Sequence, residues 1–311
     1  MIKCIVMTNK SIRVAVIGLG KLGSRHADVY AGLTGIELVG VCDIHEDKAS
    51  EVAERCKTRA YTDHRKLLGL ADAVSIVVPS EFHYRVAKDF MGHGVHLLIE
   101  KPITTVLSDA SKLIALAKRK KLLLQVGHIE RFNSGVRRIK KLVKNPRFIE
   151  CHRLGPYDPR VVKTGVTLDL MIHDIDIVMD FVRSKVKRVD AVGGFLLSPT
   201  EDIANARILF ENGTVCNLTA SRVHQEVTRE IKIFQDSAYI TLDYVTKEAL
   251  IYTKENGINK IDIQKKDSLK EELADFIQCV RAKKRPLVSG EEGRAALELA
   301  LRITQTIQKQ K

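Results

Sequence analysis

The sequence predicts an α/β protein: a doubly wound parallel sheet first, then an α/β domain carrying an open, mostly antiparallel sheet. Three observations predict it. From residue 12 to about 125, short apolar runs alternate with helical segments, the pattern of a parallel sheet covered on both faces. From 186 to about 252, strand follows strand, with turn signals at Gly193-Gly194, Asn212-Gly213 and Gln235-Asp236-Ser237. The texture changes near Gly127, and a chain of 311 residues suits two medium domains. The expected domains are 11–126 and 127–311, with the last helices able to pack back on the first.

Taken in order, 14–17 is a buried strand, 21–33 a helix and 37–42 the next strand. Residues 71–78 form a strand that stops at Pro79, 83–93 a helix ended by Gly94, and 95–99 another strand. A helix over 108–119 and a strand over 122–126 complete the series. Beyond it, a helix over 135–144 leads to the segment 148–153, an irregular stretch, and an apolar helix over 168–182. Asn212-Gly213, between apolar runs at 206–210 and 214–219, is a hairpin signal. Helices over 269–283 and 291–308 close the chain.

The first strand, helix and second strand enclose Gly18-Leu19-Gly20-Lys21-Leu22-Gly23 and end at Asp43. In that setting the first glycine makes a tight turn, the second lets backbone approach a pyrophosphate, and the third packs helix on strand. The helix N-terminus offers N–H donors to phosphate. Asp43 stands at the distance expected of a carboxylate that accepts from ribose hydroxyls, about 20 residues on. It favours NAD, because it would repel the extra phosphate of NADP; His45 and Lys48 keep NADP open as the lesser alternative.

Glu100-Lys101-Pro102 follows directly on a strand of the parallel sheet, and ligands of such sheets bind beyond the strands' carboxyl ends. A lysine there can hold a substrate oxygen and stabilise charge developing on it; it can equally be a solvated loop lysine. Asp169 and His173 lie four apart on one helix face, which Asp176 and Asp180 continue. An acid beside a histidine orients it and raises its basicity, as a general base requires. A core histidine and a divalent-metal site compete with that reading.

Composition removes other classes. The net charge is +13, but the basic residues fall mainly on helical segments, as in 118–121 and 137–144, where they oppose the dipole and face water. No interleaving of basic and aromatic residues marks a nucleic-acid surface, and the charge better suits a phosphate-bearing substrate. No apolar run approaches the roughly 18 residues of a membrane span, and segment 1–7 is too short for a secretory signal. Six cysteines without metal-ligand spacing fit a reduced, cytoplasmic chain with no metal.

The ordered set Gly18 to Gly23, Pro79 through His83, Glu100-Lys101-Pro102 and Asp169-x-x-x-His173 resembles the Gfo/Idh/MocA oxidoreductases over nearly the whole chain. The resemblance implies a Rossmann domain followed by an α/β domain with an open sheet, and assembly as a homodimer or homotetramer through that sheet. It implies that Lys101, Asp169 and His173 are catalytic, and that Pro79, His83 and Glu100 lie beside the cofactor. Residues 125–133 and 153–156 look like the branch of bacterial UDP-sugar 3-dehydrogenases, which oxidise UDP-N-acetylglucosamine at C3, often for lipid A or surface polysaccharide. Within that likeness Arg131 and Arg153 would bind phosphate, with an ordinary ion pair as the alternative for each. Many family members carry glycine where Leu170 or Met171 stands, so the pocket here would be shaped differently. A cyclitol, free-sugar or dihydrodiol dehydrogenase of the same fold, or a dinucleotide-sensing regulator without activity, remain the rival expectations.

Overall fold

The computed structural model describes residues 11–158 and 164–310; segment 1–7, with Cys4, lies outside them. Contacts divide the chain into two units. The first runs through Gly127 and takes in Leu269–Gly290; the second runs from His128 to Ser268 and resumes at Glu291.

In the first unit β1 (Ile12–Ile17), α1 (Lys21–Ala31), β2 (Ile36–Cys42), α2 (Glu46–Cys56) and the short β3 (Ala60–Tyr61) are followed by β4 (Ala73–Ile76), α3 (His83–Gly92), β5 (His96–Glu100), α4 (Leu107–Lys120) and β6 (Leu124–Gly127). The six strands pair in parallel in the order β3-β2-β1-β4-β5-β6. The order reverses between β1 and β4, which places a ligand crevice beyond the carboxyl ends of those two strands. The central strands are continuous apolar runs because both faces are covered: Val14, Ala15 and Val16 are fully buried. Helix α1 turns Gly23, His26, Ala27 and Tyr30 inward at helical spacing, and the Tyr30 hydroxyl lies 2.8 Å from Ser75 Oγ on β4.

Helix α2 and strand β3 were not among the sequence expectations. The helix is strongly charged, and its buried stripe is only Ala49, Val52 and Ala53, too small an apolar signal to stand out; Glu46 and Asp47 in its first turn complement the dipole.

The second unit opens with α5 (Ser134–Lys140) and β7 (Phe148–Leu154). A π-helical turn, Thr167–Met171, runs straight into α6 (Ile172–Val182). Then come β8 (Val186–Gly194), β9 (Ile203–Phe210), β10 (Val215–Ser221), β11 (Thr228–Gln235), β12 (Ala238–Asp243), β13 (Glu248–Thr253) and β14 (Gly257–Ile261). These eight strands form one sheet in the order β14-β13-β12-β11-β7-β10-β9-β8, antiparallel except where β7 and β10 pair in parallel. Its inner face (Ile149, Cys151, Ala206, Ile208, Leu218 and Ile231 among others) packs on apolar residues of α6 and of the last helix.

The Asn212-Gly213 turn closes a hairpin as expected, with Gly213 at φ 88° and Phe210 donating its amide to the Thr214 carbonyl. Gly193-Gly194 does not turn the chain. Both residues extend β8 and pair with Ala204 and Ile203. A Cβ on Gly193 would stand 2.6 Å from the Ile307 side chain, so the missing side chain serves helix-on-sheet packing. The turn lies further on, where Asp202 Oδ2 accepts the amides of Leu196, Leu197 and Ser198 at 2.7, 2.6 and 3.1 Å.

The chain ends with α7 (Ser268–Ala282) and α8 (Gly290–Gln308). Helix α7 belongs to the first unit: Gln125 on β6 bridges to Ser289, Val126 donates to the Val288 carbonyl at 3.0 Å, and Gln125 Nε2 donates to the Glu272 carbonyl at 3.4 Å. Among the described residues, no helix is long and apolar enough to cross a membrane.

Candidate active site

A cavity of about 630 Å³ opens at the carboxyl ends of β1, β2, β4 and β5. Gly18, Gly20, Lys21, Leu22, Gly23, Asp43, Pro79, His83, Glu100 and Lys101 all line it, so one crevice gathers every residue expected to hold the cofactor, together with the expected catalytic lysine.

Two glycines shape its floor. Gly18 sits at φ 90°, a left-handed conformation, and a Cβ there would press on the Val77 peptide at 2.7 Å. A Cβ on Gly23 would overlap the Gly18 carbonyl, so its absence lets α1 seat against the turn. A Cβ at Gly20 would meet nothing within 4 Å. The backbone there borders open space at the N-terminus of α1, which has no side-chain cap and no acidic residue in its first turn. Unclaimed helix N–H groups beside an open crevice fit a pyrophosphate, so the residues present suit a dinucleotide.

Asp43 closes the second strand's tip. Its Oδ2 accepts the Leu19 amide at 2.7 Å and its Oδ1 the His45 amide at 3.0 Å. The neighbouring Cys42 thiol also lines the cavity, and burial pushes it up to about 12, so it stays protonated.

His83 joins two strand ends. Its Nδ1 lies 2.9 Å from the Pro102 carbonyl and its Nε2 2.9 Å from the Val78 carbonyl, with the ring almost wholly buried. Burial lowers its pKa, so the neutral imidazole donates to one carbonyl at a time. It holds the Glu-Lys-Pro turn, whose Lys101-Pro102 bond is cis, against the segment after β4.

Glu100 lines the cavity but turns its carboxylate inward. Oε1 lies 3.3 Å from His26 Nε2, and Oε2 accepts the Lys101 amide at 3.2 Å. Gly127, paired with Glu100 across β5 and β6, leaves room for it; a Cβ there would meet the carboxylate at 2.5 Å. His26 was not singled out from the sequence. The available signal was a histidine on the apolar stripe of α1, between Gly23 and Ala27.

Asp169 and His173 lie in the second unit. The helix expected over 168–182 starts one residue earlier and is π-wound through Met171, so Asp169 stands in the wide turn and His173 in the first turn of α6. Both side chains are half-buried. π-turns carry an extra residue per turn and recur at functional sites, where they re-aim side chains. Glu201 anchors this one: Oε1 accepts the Thr167 amide at 3.3 Å and its own carbonyl accepts the Val166 amide at 3.0 Å. Behind Glu201, Asp202 Oδ1 accepts Arg222 Nε at 2.8 Å in a buried pair.

The two arginines expected to meet phosphate are occupied inside this unit. Arg153, 3% exposed, donates Nε and Nη2 to Asp174 at 3.0 and 2.8 Å and Nη1 to Glu130 at 3.2 Å. Arg131, 6% exposed, pairs with Asp176 at 3.4 Å and Asp180 at 3.3 Å. Asp176 and Asp180 therefore do not extend the face of His173 as metal ligands; they line a separate cavity of about 300 Å³ with Arg131, Arg183 and Glu292. Among the described residues, no three His, Cys, Asp or Glu converge as a metal site. Asp174, which sequence reasoning passed over, is the buried partner that fixes Arg153 to α6.

A glycine turn at a sheet's switch point, closed by a carboxylate on the next strand, defines a dinucleotide-binding domain. Residues 12–128 match the oxidoreductase family with an NAD-binding Rossmann fold, and residues 138–241 match the GFO/IDH/MocA C-terminal domain. The chain belongs to the Gfo/Idh/MocA oxidoreductases, and its cofactor is NAD. It is 36% identical over 302 residues to a UDP-N-acetylglucosamine 3-dehydrogenase of Acidithiobacillus ferrooxidans, covering 94% of this chain and 96% of the relative. A solved structure of that enzyme superposes with a TM-score of 0.93 over 96% of this chain and 98% of the other. A myo-inositol 2-dehydrogenase of Thermotoga maritima is 28% identical over 93% of this chain and 94% of the relative.

Proposed function

We propose that this enzyme oxidises the C3 hydroxyl of a UDP-N-acetylhexosamine, UDP-N-acetylglucosamine foremost, to the 3-oxo sugar. The observation that carries the reading is the 36% identity with the Acidithiobacillus ferrooxidans enzyme, sustained across both domains. His173 takes the proton of the reacting hydroxyl, and Asp169, one turn before it, orients the imidazole and favours its charged form. Lys101, on the cofactor crevice, donates to the same oxygen and stabilises the negative charge that grows there. Bound NAD supplies the hydride acceptor. Glu100 and His83 act at one remove, by fixing the turn that presents Lys101.

The identity of 28% with an inositol dehydrogenase supports a cyclitol as the second reading. An unphosphorylated ring would need no anchoring cation, whereas a nucleotide-sugar brings two phosphates. Assembly through the open sheet fits the exposed Ile203, Phe234, Leu250 and Tyr252, which alternate with buried residues on its outer face.

The test is a panel of UDP-sugars, free sugars and inositols incubated with NAD, following NADH absorbance and locating the oxidised carbon of the product. Turnover of UDP-N-acetylglucosamine with a ketone at C3 is expected. Turnover of inositols alone would overturn the substrate assignment.

A further inference from the structure

One strongly basic group in the second unit has no partner to explain it. The parallel strands β7 and β10 end side by side, Leu154 opposite Ser221, and β11 begins at the same edge with Thr228 opposite Leu154. The next pair inward is Arg153 and Arg229, directly opposed, so their side chains leave the same face of the sheet. Arg153 goes under α6 and is filled by Asp174 and Glu130. Arg229 stays at the margin, with its side chain reaching solvent.

Its neighbours make that placement unusual. Arg229 lies within electrostatic range of Arg153, Glu130, Asp174 and Asp169, the last being the acid that precedes His173. Yet among the described residues its guanidinium makes no hydrogen bond and no ion pair. Partial burial and the opposed Arg153 act against its charge and lower its pKa on balance, while Glu130, Asp174 and Asp169 favour the charge. Two like charges face to face on a sheet are destabilising, and an arginine carries five donors in a fork matched to planar or tetrahedral oxyanions. A group kept at such a position, in electrostatic range of Asp169 and without a hydrogen-bonded protein acceptor, suits an anionic ligand.

We propose that Arg229 is the diphosphate anchor of the substrate site. The inference rests on the nucleotide-sugar reading and names the residue that recognises the nucleotide. Arg131 and Arg153 cannot take that part without abandoning buried carboxylates. Arg229 can swing to a phosphate at no such loss, and its neutralisation by the ligand relieves the repulsion from Arg153.

UDP alone is the probe, titrated calorimetrically into the NADH-loaded enzyme. For Arg229→Met and Arg229→Gln the dissociation constant for UDP should rise about tenfold or more, the loss typical of one charge-assisted contact. Arg229→Lys should recover part of it. The salt dependence of UDP affinity should also flatten in the neutral variants, a change that loosened packing would not produce. NADH affinity within about twofold of wild type reports an intact fold. UDP affinity in both neutral variants within about twofold of wild type, with the wild type binding UDP, overturns the assignment of Arg229 alone. A wild-type enzyme that neither binds UDP nor turns over any UDP-sugar overturns the nucleotide-sugar reading and this inference with it.

Discussion

The Leu19 amide donates to Asp43 Oδ2 at 2.7 Å, so the carboxylate at the tip of β2 also clamps the glycine turn. On the proposed reading of Asp43, selection of NAD and the shape of the glycine turn therefore depend on one side chain. Asp43→Asn keeps an acceptor for the turn and removes the charge that repels a 2′-phosphate. NADP turnover should rise relative to NAD, with little loss of NAD affinity. Asp43→Ala loses both functions, and NAD affinity should fall about tenfold as well. Steady-state kinetics with each cofactor decide it; unchanged preference in both variants would assign selection elsewhere.

Lys101→Ala should lower kcat on the order of 100-fold or more, the scale for one donor to a developing oxyanion, while NADH still binds. The turn that carries residue 101 is held by Glu100 and His83 through backbone atoms, so the fold at the crevice survives the truncation. Stopped-flow NADH fluorescence separates binding from turnover, and a kcat near wild type refutes the role.

His173→Asn should lower kcat about 100-fold or more and flatten the acid limb of the kcat/KM profile, because activity rises with pH as the base loses its proton. Asp169→Asn should shift that limb to lower pH by weakening the charged imidazole. A profile that keeps its limb in His173→Asn assigns the proton to another group.

Asp174→Ala leaves Arg153, which is 3% exposed, with Glu130 as its one remaining carboxylate, and should cost about 3 kcal/mol of unfolding free energy. Adding Arg153→Met should restore part of the loss, since it removes the buried cation while Glu130, nearer the surface, keeps the Asn133 amide at 3.0 Å. Urea denaturation of the single and double variants measures both steps.

Burial, with the nearby Asp180 charge, pushes the Asp176 carboxyl up to about 7 from its ordinary 3.8 against the pull of Arg131. Its Oδ2 is buried without a hydrogen bond. Between about pH 4 and 7 the folded chain holds a proton that the unfolded chain has released, so this group's contribution to stability falls as pH rises through that window. Asp176→Asn should gain stability relative to wild type over the same window, on the order of 2 kcal/mol. Denaturation at pH 4.5 and pH 7.5 tests the sign: the variant's advantage over wild type should be larger at pH 7.5, and an advantage larger at pH 4.5 overturns it.

How much of this was written in the chain differs from element to element. The parallel sheet was legible because its strands are apolar throughout and separated by amphipathic helices. The cofactor crevice was legible because Gly18 to Gly23, Asp43 and Glu100-Lys101-Pro102 are each tied to a strand end, and the sheet brings strand ends together. Helix α2 was not, since alanine and valine bury a stripe too thin to read. Gly193-Gly194 misled because glycine marks both turns and close approach, and only the position of Ile307 tells which. The π-turn beneath Asp169 leaves no pattern at all, being set by Glu201 from a distant loop. Arg131 and Arg153 show the general limit: composition reveals a cation, while its partners Asp174, Asp176 and Asp180 are chosen by the fold.

The return of residues 269–290 to the first unit has a consequence for synthesis. The edge beside β6 lacks its cover until α7 and Ser289 have left the ribosome, more than 140 residues after that strand itself. The nucleotide-binding half is thus the first begun and nearly the last completed, and the second half must fold as an insertion within it. A gene cut between the halves at residue 127 would yield an N-terminal fragment with an uncovered sheet edge, prone to pair with other copies rather than to stand alone.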